Sequence, residues 1–339
     1  MPKRWFVVLA SMVPACSPNT SGNTMQTCDQ LSTMHDAVPP KYTGTVFTIV
    51  IENHSRHEVI GDDDAPYITS LAKKYAVAEG YHDSFVHPSE ANYLWMVSGE
   101  NFHILDDDDP ASHSLASTSH IADQIERAGL TWKSYQEGMG APCGLKSNGR
   151  YAAKHDPFVY FSDINGWDGT EFQPSERCNE HIVDYSELAT DIGQDMVPRY
   201  VFITPDLDND MHDGSIRDSD NWMSREIPKL MATDAYKNGG AIFLLGDEGG
   251  GYPADDDPPF LIISPNVKPG YVSQADYDTS SYLKTVEMMM GVAMLPCVPE
   301  RDSVEAMTDM FMSPLTAEPS LVPVLDEASA ADETLTDKH

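Results

Sequence analysis

The sequence predicts an α/β fold in which a mostly parallel central sheet carries helices on both faces. Four short runs are apolar without alternation and rich in β-branched or aromatic residues, which is typical of strands buried on both faces. These runs are Val46–Ile51, Tyr200–Thr204, residues 241–245 and residues 260–264. A chain of 339 residues accommodates one large domain of this class or two smaller ones.

Helical patterns lie between these runs. Apolar residues spaced at i, i+4 and i+7 from Ile121 precede Gly129, and a second pattern over residues 282–290 precedes Gly291. A glycine directly after such a pattern is the usual signal for a helix C-terminus. Strands that alternate with helices over this length favour a parallel sheet with helical layers on both sides.

The N-terminus has the order of a secretory signal. Lys3 and Arg4 precede the apolar residues 5–13, and small or polar residues follow. Residues 13–16 are similar to the lipobox of bacterial lipoproteins, so we expect a signal peptide with lipobox over residues 1–16 and acylation of Cys16. Pro14 is atypical there, which leaves simple cleavage and secretion as the alternative.

The remaining chain divides into three parts by composition. Residues 17–40 are rich in Ser, Thr, Asn and Pro and predict a flexible tether. Residues 314–339 predict a disordered acidic tail, which leaves residues 41–313 as the folded domain. We expect an exported protein of a bacterial cell envelope, lipid-anchored at the outer or cell-surface membrane or free in the periplasm, and otherwise secreted.

Five cysteines are present, and four remain if Cys16 carries lipid. An even number in an oxidising compartment indicates disulfides, and four cysteines allow three pairings. We favour Cys143 with Cys178, because both flank one insertion-like segment, and we leave the pairing of Cys28 and Cys297 open.

The net charge is 21 − 54 = −33 with histidine neutral. Such a charge repels phosphate backbones and anionic membrane surfaces, which argues against nucleic-acid binding. No apolar run reaches the roughly 18 residues of a spanning helix, so we expect membrane contact only through a lipid anchor.

Three predicted strands end in polar residues that can bind a cation. Carboxyl ends of parallel strands meet at one edge of a sheet, so these residues are expected to lie together. Their oxygen donors suit a divalent ion, whether Mg, Ca, Mn or Fe. The candidate metal ligands are Glu52, Asn53, Asp247 and Glu248. The alternative is that they are ordinary polar residues at strand ends with helix-capping roles.

A nucleophile is available in the segment of residues 87–93. Ser89 lies in a turn-prone stretch, and a metal or base would lower the cost of losing its proton. Asn92, one helical turn later, could donate a hydrogen bond to an oxyanion that forms at Ser89. A serine that only caps a helix would explain the segment equally well.

These segments together resemble the phosphoesterase family of bacterial acid phosphatases and phospholipases C, in the alkaline phosphatase superfamily. The blocks occur in family order over about residues 45–312, and they are more similar to secreted acid phosphatases than to the longer phospholipases C. The matching blocks are Glu52-Asn53-His54-Ser55, residues 87–93 with Ser98-Gly99, residues 151–158, residues 205–214 with Asp220-Asn221-Trp222, and Asp247-Glu248.

The resemblance implies an alkaline-phosphatase-like sheet and a small phosphorylated substrate, with a phospholipid headgroup as one form of it, bound by a monomer. It also implies a division of roles. The four candidate ligands would hold the catalytic metal, and Ser89 would attack phosphorus and become transiently phosphorylated. His155 and His212 would contact the phosphoryl oxygens or protonate the leaving group, and Lys154, Asp210 and Asn92 would also contact the substrate. Histidine is partly protonated in mildly acidic medium, which suits an acid phosphatase.

The sequence departs from the family pattern at two places. Thr279 stands where the family commonly has a histidine, which could remove a metal ligand or alter leaving-group protonation. The loop after Asp247-Glu248 contains the acidic run 255–257. This run and those at 62–64 and 106–109 lack the spacing of a calcium-binding EF-hand, so we expect solvated loops.

The sequence thus predicts a metal-dependent acid phosphatase that hydrolyses phosphomonoesters through a phosphoserine intermediate. One alternative is a phosphodiesterase of the phospholipase C type that uses the same site. The other is a lipoprotein that keeps the metal site for binding alone, which the two departures from the family pattern would favour.

Overall fold

The computed structural model describes residues 39–84, 86–250, 257–295 and 304–316. Eight strands of these segments form one sheet in the order β4-β3-β5-β1-β6-β7-β2-β8. All neighbours pair in parallel except β7, which is antiparallel to β6 and β2. The strands are β1 Val46–Ile51, β2 Ala76–Tyr81, β3 Trp132–Gln136, β4 Ile182–Asp184, β5 Tyr200–Thr204, β6 Ala241–Gly246, β7 Phe260–Ile263 and β8 Val272–Tyr277.

The predicted strands occupy the middle of the sheet. β1 lies between β5 and β6, with Val46 paired to Tyr200 on one side and to Ala241 on the other. Every residue of these three strands is buried, in agreement with their continuous apolar sequences. The predicted boundaries match for β1 and β5, whereas β6 extends one residue further and β7 ends one residue earlier. The predicted fold class is confirmed.

Helices pack in two groups against this sheet. α11 packs on α3, whereas α2 packs on α9, which is followed by α10. The helices are α1 Arg56–Val59, α2 Pro66–Lys74, α3 Ser89–Ser98, α4 Pro110–His113, α5 Ile121–Arg127, α6 Ser162–Asn165, α7 Glu176–His181, α8 Glu187–Gly193, α9 Ile216–Ala232, α10 Asp234–Lys237 and α11 Thr279–Met290, with 3₁₀ turns at Ala153–His155, Pro157–Tyr160 and Thr308–Met310. The two predicted helices are α5 and α11.

All ten residues of helix α3 are buried. A helix that is covered on every side is held in place by its surroundings rather than by its own propensity. It ends at Gly99, whose φ of 79° lies in the left-handed region that glycine adopts without a Cβ penalty. The first turn of α3 is therefore a rigid platform for the residues that it carries.

A disulfide joins Cys143 and Cys178, the pair favoured by the sequence, with their Cα atoms 5.2 Å apart. The two ends of the described body also meet, since the Lys41 amide donates to the Leu315 carbonyl. The predicted signal peptide, Cys16, Cys28, Cys297 and nearly all of the predicted tether and tail lie outside the described residues. Across the described segments, no helix has the length and apolar character needed to cross a bilayer.

Candidate active site

Ser89 lies at the start of α3 and faces the end of β1. Its Oγ donates to Glu52 Oε2 over 3.0 Å, and only 2% of Ser89 and 0% of Glu52 is exposed. The cap position of α3 is taken by Pro88, and no side chain caps the helix. Ser89 is therefore not an N-cap residue, and its hydroxyl points to a carboxylate instead.

The ends of β1 and β6 bring the acidic residues together. The Asn53 amide donates to Asp247 Oδ1 over 3.3 Å, and the Asn53 backbone adopts a φ of 54° as the chain leaves β1. The Asp247 carboxyl lies close enough to Glu52 and Ser89 for both to affect its pKa. Ser89 thus forms one buried group with Glu52 and Asp247, the two carboxylates at the ends of neighbouring parallel strands.

Without a cation, burial of these neighbouring carboxylates destabilises their charged forms. Burial, and then the neighbouring Asp210, raises the pKa of Glu52 to about 8. Burial, and then Glu52, raises the pKa of Asp247 well above its usual range. Glu52 Oε1 and Asp247 Oδ2 are buried without a hydrogen-bond partner. Unpartnered carboxylate oxygens in a shared buried site fit a divalent cation, which would take up these lone pairs and offset the repulsion.

Glu248 is held by two residues of the segment before and within α3. Its Oε2 contacts His87 Nδ1 at 2.6 Å and accepts a hydrogen bond from Asn92 Nδ2 at 3.1 Å. The hydrogen bond to Glu248 raises the pKa of His87. Asn92 Nδ2 also donates to the Val86 carbonyl at 2.8 Å, so both amide protons are used. The structure therefore gives Asn92 a contact that differs from the predicted one: it orients Glu248 and has no proton left for an oxyanion at Ser89.

His155 lies between two carboxylates. Its Nε2 is 3.4 Å from Glu52 Oε1 and its Nδ1 is 3.3 Å from Asp210 Oδ2. The ring stacks on Tyr93 with centroids 5.0 Å apart. Burial lowers the pKa of His155 well below its usual range. Asp210 is also fully buried and accepts from the His212 amide, which places it behind His155 rather than toward a substrate.

His212 and Lys154 form the accessible rim. The His212 side chain is 26% exposed, and its Nδ1 is 2.9 Å from Asp213 Oδ1. Lys154 Nζ lies 3.3 Å from His212 Nε2 and donates to Asp107 Oδ2 at 2.7 Å. The two predicted substrate contacts are thus neighbours, and both approach the buried group from the same side.

Two groups among the described residues have the spacing of a metal site. Ligand atoms of Glu52, His155 and His212 lie within 4.8 Å of one another, so the cation site has an edge with nitrogen donors. His120, Asp123 and Asp163 form the second group. There Arg177 donates to both aspartates at 2.6 Å, so an internal cation already neutralises them. The first group shares Glu52 with the predicted metal ligands, whereas its two histidines were predicted to act on the phosphoryl group.

Thr279 begins α11 and is fully buried. Its hydroxyl lies 3.4 Å from the Tyr81 hydroxyl at the end of β2, and it supplies no ring nitrogen where the family pattern has one. Of the acidic run 255–257, only Asp257 falls within the described residues, and its carbonyl accepts from the Arg56 amide.

The sequence analysis assigned no role to His87, Tyr93 or Asp107, although all three border the site. His87 and Tyr93 belong to the segment that contains Ser89, and this proximity in sequence is the signal that could have identified them as site residues. Asp107 is one of four consecutive aspartates, and such a run is typical of a solvated loop. Residues 106–108 are exposed, as expected of a solvated loop, but Asp107 also pairs with Lys154 and with the amide of Glu90, which the sequence did not predict.

Comparison with solved structures identifies the fold. A Vibrio parahaemolyticus protein of the alkaline phosphatase superfamily superposes with a TM-score of 0.54 at 11% identity, over 82% of this chain and 74% of that one. Human ectonucleotide pyrophosphatase/phosphodiesterase 5 gives 0.53 at 12% identity, over 79% of this chain and 100% of that one. At this identity the likeness establishes the fold, which is that of the alkaline phosphatase superfamily.

A model of the phosphoesterase family matches residues 51–293. The chain therefore belongs to the phosphoesterase family. A phosphatidylinositol-3-phosphatase of Mycobacterium tuberculosis is 29% identical over 249 residues, 73% of this chain and 77% of that protein. A probable acid phosphatase of Kluyveromyces lactis is 27% identical over 71% of this chain. The chain spans only 56% of the yeast protein. The predicted family and the predicted class of enzyme, a hydrolase of phosphoric esters, are confirmed.

Proposed function

We propose that the protein is a metal-dependent acid phosphatase that hydrolyses phosphomonoesters through a phosphoserine at Ser89. The observation that carries this proposal is the 3.0 Å hydrogen bond from Ser89 Oγ to Glu52 Oε2 inside a buried carboxylate group. A hydroxyl in that position has an acceptor for its proton and adjoins a site that fits a cation. The two relatives described above are both named as phosphatases, which supports a monoester substrate.

Glu52, Asn53, Asp247 and Glu248 would hold the cation, which supplies positive charge for the phosphoryl oxygens when bound. Glu52 Oε1 accepts no hydrogen bond and would bind the cation, while Oε2 accepts the hydrogen bond from Ser89. Asn92 and His87 fix the Glu248 carboxylate, so that its geometry is set before substrate arrives.

In the first half of the reaction Ser89 Oγ attacks phosphorus. The Oγ–P bond forms, the bond from phosphorus to the ester oxygen breaks, and the hydroxyl proton passes to Glu52 Oε2, which already accepts its hydrogen bond. His212 gives a proton to the leaving oxygen, because its side chain is partly exposed beside Lys154 and its Nδ1 is held by Asp213.

In the second half water attacks the phosphorus of phosphoserine. The water proton passes to His212, which the first half left deprotonated, and the Oγ–P bond breaks. Ser89 recovers its proton from Glu52, and inorganic phosphate leaves with both residues restored. Atoms and charge balance over the two halves, and the overall reaction is hydrolysis of the ester.

His155 has a different role in this proposal from that of His212. It is buried, and it lies 3.4 Å from Glu52 Oε1 and 3.3 Å from Asp210 Oδ2. We assign to Asp210 the positioning of His155, in place of the substrate contact inferred from the sequence. Lys154, at the rim, is the residue that we assign to the phosphoryl oxygens.

Paired ester assays test this function. We expect the protein to hydrolyse p-nitrophenyl phosphate at least about tenfold faster than bis(p-nitrophenyl) phosphate, since a dianionic group uses Lys154 and the cation together. Chelation should abolish activity, and one of Mg²⁺, Ca²⁺, Mn²⁺ or Fe²⁺ should restore it. Faster diester hydrolysis would identify the phospholipase C type. Ion binding without turnover of either ester would identify a binding protein.

A further inference from the structure

The carboxylate of Asp107 holds two hydrogen-bond donors beside the proposed nucleophile. Its Oδ1 accepts from the Glu90 amide at 3.1 Å, and its Oδ2 accepts from Lys154 Nζ at 2.7 Å. Glu90 is the residue directly after Ser89, and Lys154 Nζ lies 3.3 Å from His212 Nε2. Asp107 thus bridges the start of α3 and the cationic rim of the site.

The loop that carries Asp107 is fastened on both sides of it. The buried Glu90 side chain accepts from the Asp108 amide at 2.8 Å and contacts His113 Nδ1 at 2.7 Å. The Tyr160 hydroxyl donates to the Asp108 carbonyl at 2.6 Å, and Asp109 Oδ1 accepts from the Ser147 amide at 3.1 Å. The position of Asp107 is therefore built into the fold.

The two donors that Asp107 occupies are of the kind that a phosphoryl group needs. A backbone amide in the first turn of a helix has no partner within the helix, and an ammonium group is a common phosphate ligand. Both lie next to residues of the proposed mechanism, Ser89 and His212. A carboxylate and a phosphate oxygen compete directly for such donors, because each accepts the same charge-assisted hydrogen bonds.

We propose that Asp107 is a specificity-determining residue that acts as an internal anion: it competes with the phosphoryl group for Lys154 and the Glu90 amide, and so weakens binding of monoester and of product phosphate. The effect on monoester binding and on product release rests on the proposed function, whereas the competition for Lys154 can be measured with phosphate alone. Weak product binding favours release of phosphate, which the hydrolysis generates at this site in every turnover.

The test is the affinity for inorganic phosphate of the Mg²⁺-loaded wild type and of its Asp107→Asn variant, measured by isothermal titration calorimetry. The asparagine keeps an oxygen that can accept from the Glu90 amide but loses the ion pair with Lys154. We expect phosphate to bind about tenfold more tightly, roughly the effect of one charge-assisted hydrogen bond. KM for p-nitrophenyl phosphate should fall in parallel.

Asp106→Asn is the matched control. Asp106 is the preceding residue, its side chain is 79% exposed, and its recorded contact is 3.5 Å to His113. The Asp106→Asn substitution removes the same charge from the same loop without removing the ion pair with Lys154. The phosphate affinity of this variant should stay within about twofold of that of the wild type. A Lys154→Gln background adds a double-mutant cycle, in which Asp107→Asn should gain little because the ammonium group for which Asp107 and phosphate compete is already absent.

The outcomes separate this inference from the proposed function. Tighter phosphate binding in Asp107→Asn alone supports the inference, even in a protein that hydrolyses no ester. Equal affinity in Asp107→Asn and Asp106→Asn, weaker binding in Asp107→Asn, or no phosphate binding by any variant would overturn it. Thermal unfolding of each variant shows whether the loop has kept its fold.

Discussion

Replacement of Ser89 by alanine is expected to lower kcat on a phosphomonoester by at least about 1,000-fold, because the proposed covalent step has no other nucleophile. The fold should survive the change. Ser89 does not cap α3, and its hydroxyl bonds only within the carboxylate group. Steady-state kinetics together with thermal unfolding measure both properties, and the melting temperature should match or exceed that of the wild type.

Ser98→Ala is the matched control for this variant. Ser98 lies in the same buried helix, and its Oγ donates to the Leu94 and Glu100 carbonyls at the C-terminal end. Its loss should lower stability by about 1 kcal/mol with little effect on kcat. A Ser89→Ala protein that retains more than about a tenth of wild-type kcat would contradict the assignment of Ser89 as nucleophile.

Asp247→Asn should remove tight metal binding. Asp247 is fully buried with one carboxylate oxygen unpartnered, and an amide is a far weaker ligand for a hard cation. We expect the dissociation constant for the activating ion to rise at least about 100-fold and the activity to fall with it. The metal-free variant should be at least as stable as the metal-free wild type, because one of the buried like charges is gone.

Asp276→Asn is the control, since its side chain is 91% exposed and its recorded ion pair is with His82. It should leave metal affinity unchanged. Calorimetric titration and the metal-induced rise in melting temperature report the affinity independently of turnover. Retention by Asp247→Asn of the full metal-induced stabilisation would show that the cation is held elsewhere.

The strands that position the site could be predicted because they are the central ones. β1, β5 and β6 are buried on both faces, so their sequences are continuously apolar. β8, at the sheet edge, alternates exposed and buried positions and contains Gln274 and Asp276. β4, at the other edge, has three residues, which is too short for a pattern. These elements depend on tertiary pairing that local sequence does not encode.

The residues that make up the site could be predicted from the sequence, but the contacts that hold those residues in place could not. Strand ends and the family blocks were sufficient to identify Ser89 and the four carboxylate and amide residues as neighbours. The contacts of Asn92 with Glu248, and of Asp107 with Lys154, join positions 156 and 47 residues apart. Pairings at such separations leave no local pattern, so Asn92 was assigned an oxyanion contact and Asp107 was assigned to a solvated loop.

The central claim is that a phosphoryl group becomes covalently bonded to Ser89 Oγ during turnover. Mass spectrometry of peptides from a reaction quenched with acid during turnover of p-nitrophenyl phosphate measures this. We expect one added phosphoryl group on the peptide that contains Ser89, and none in the Ser89→Ala variant. Turnover with Ser89 unmodified, or with the phosphoryl group on another residue, would contradict the mechanism.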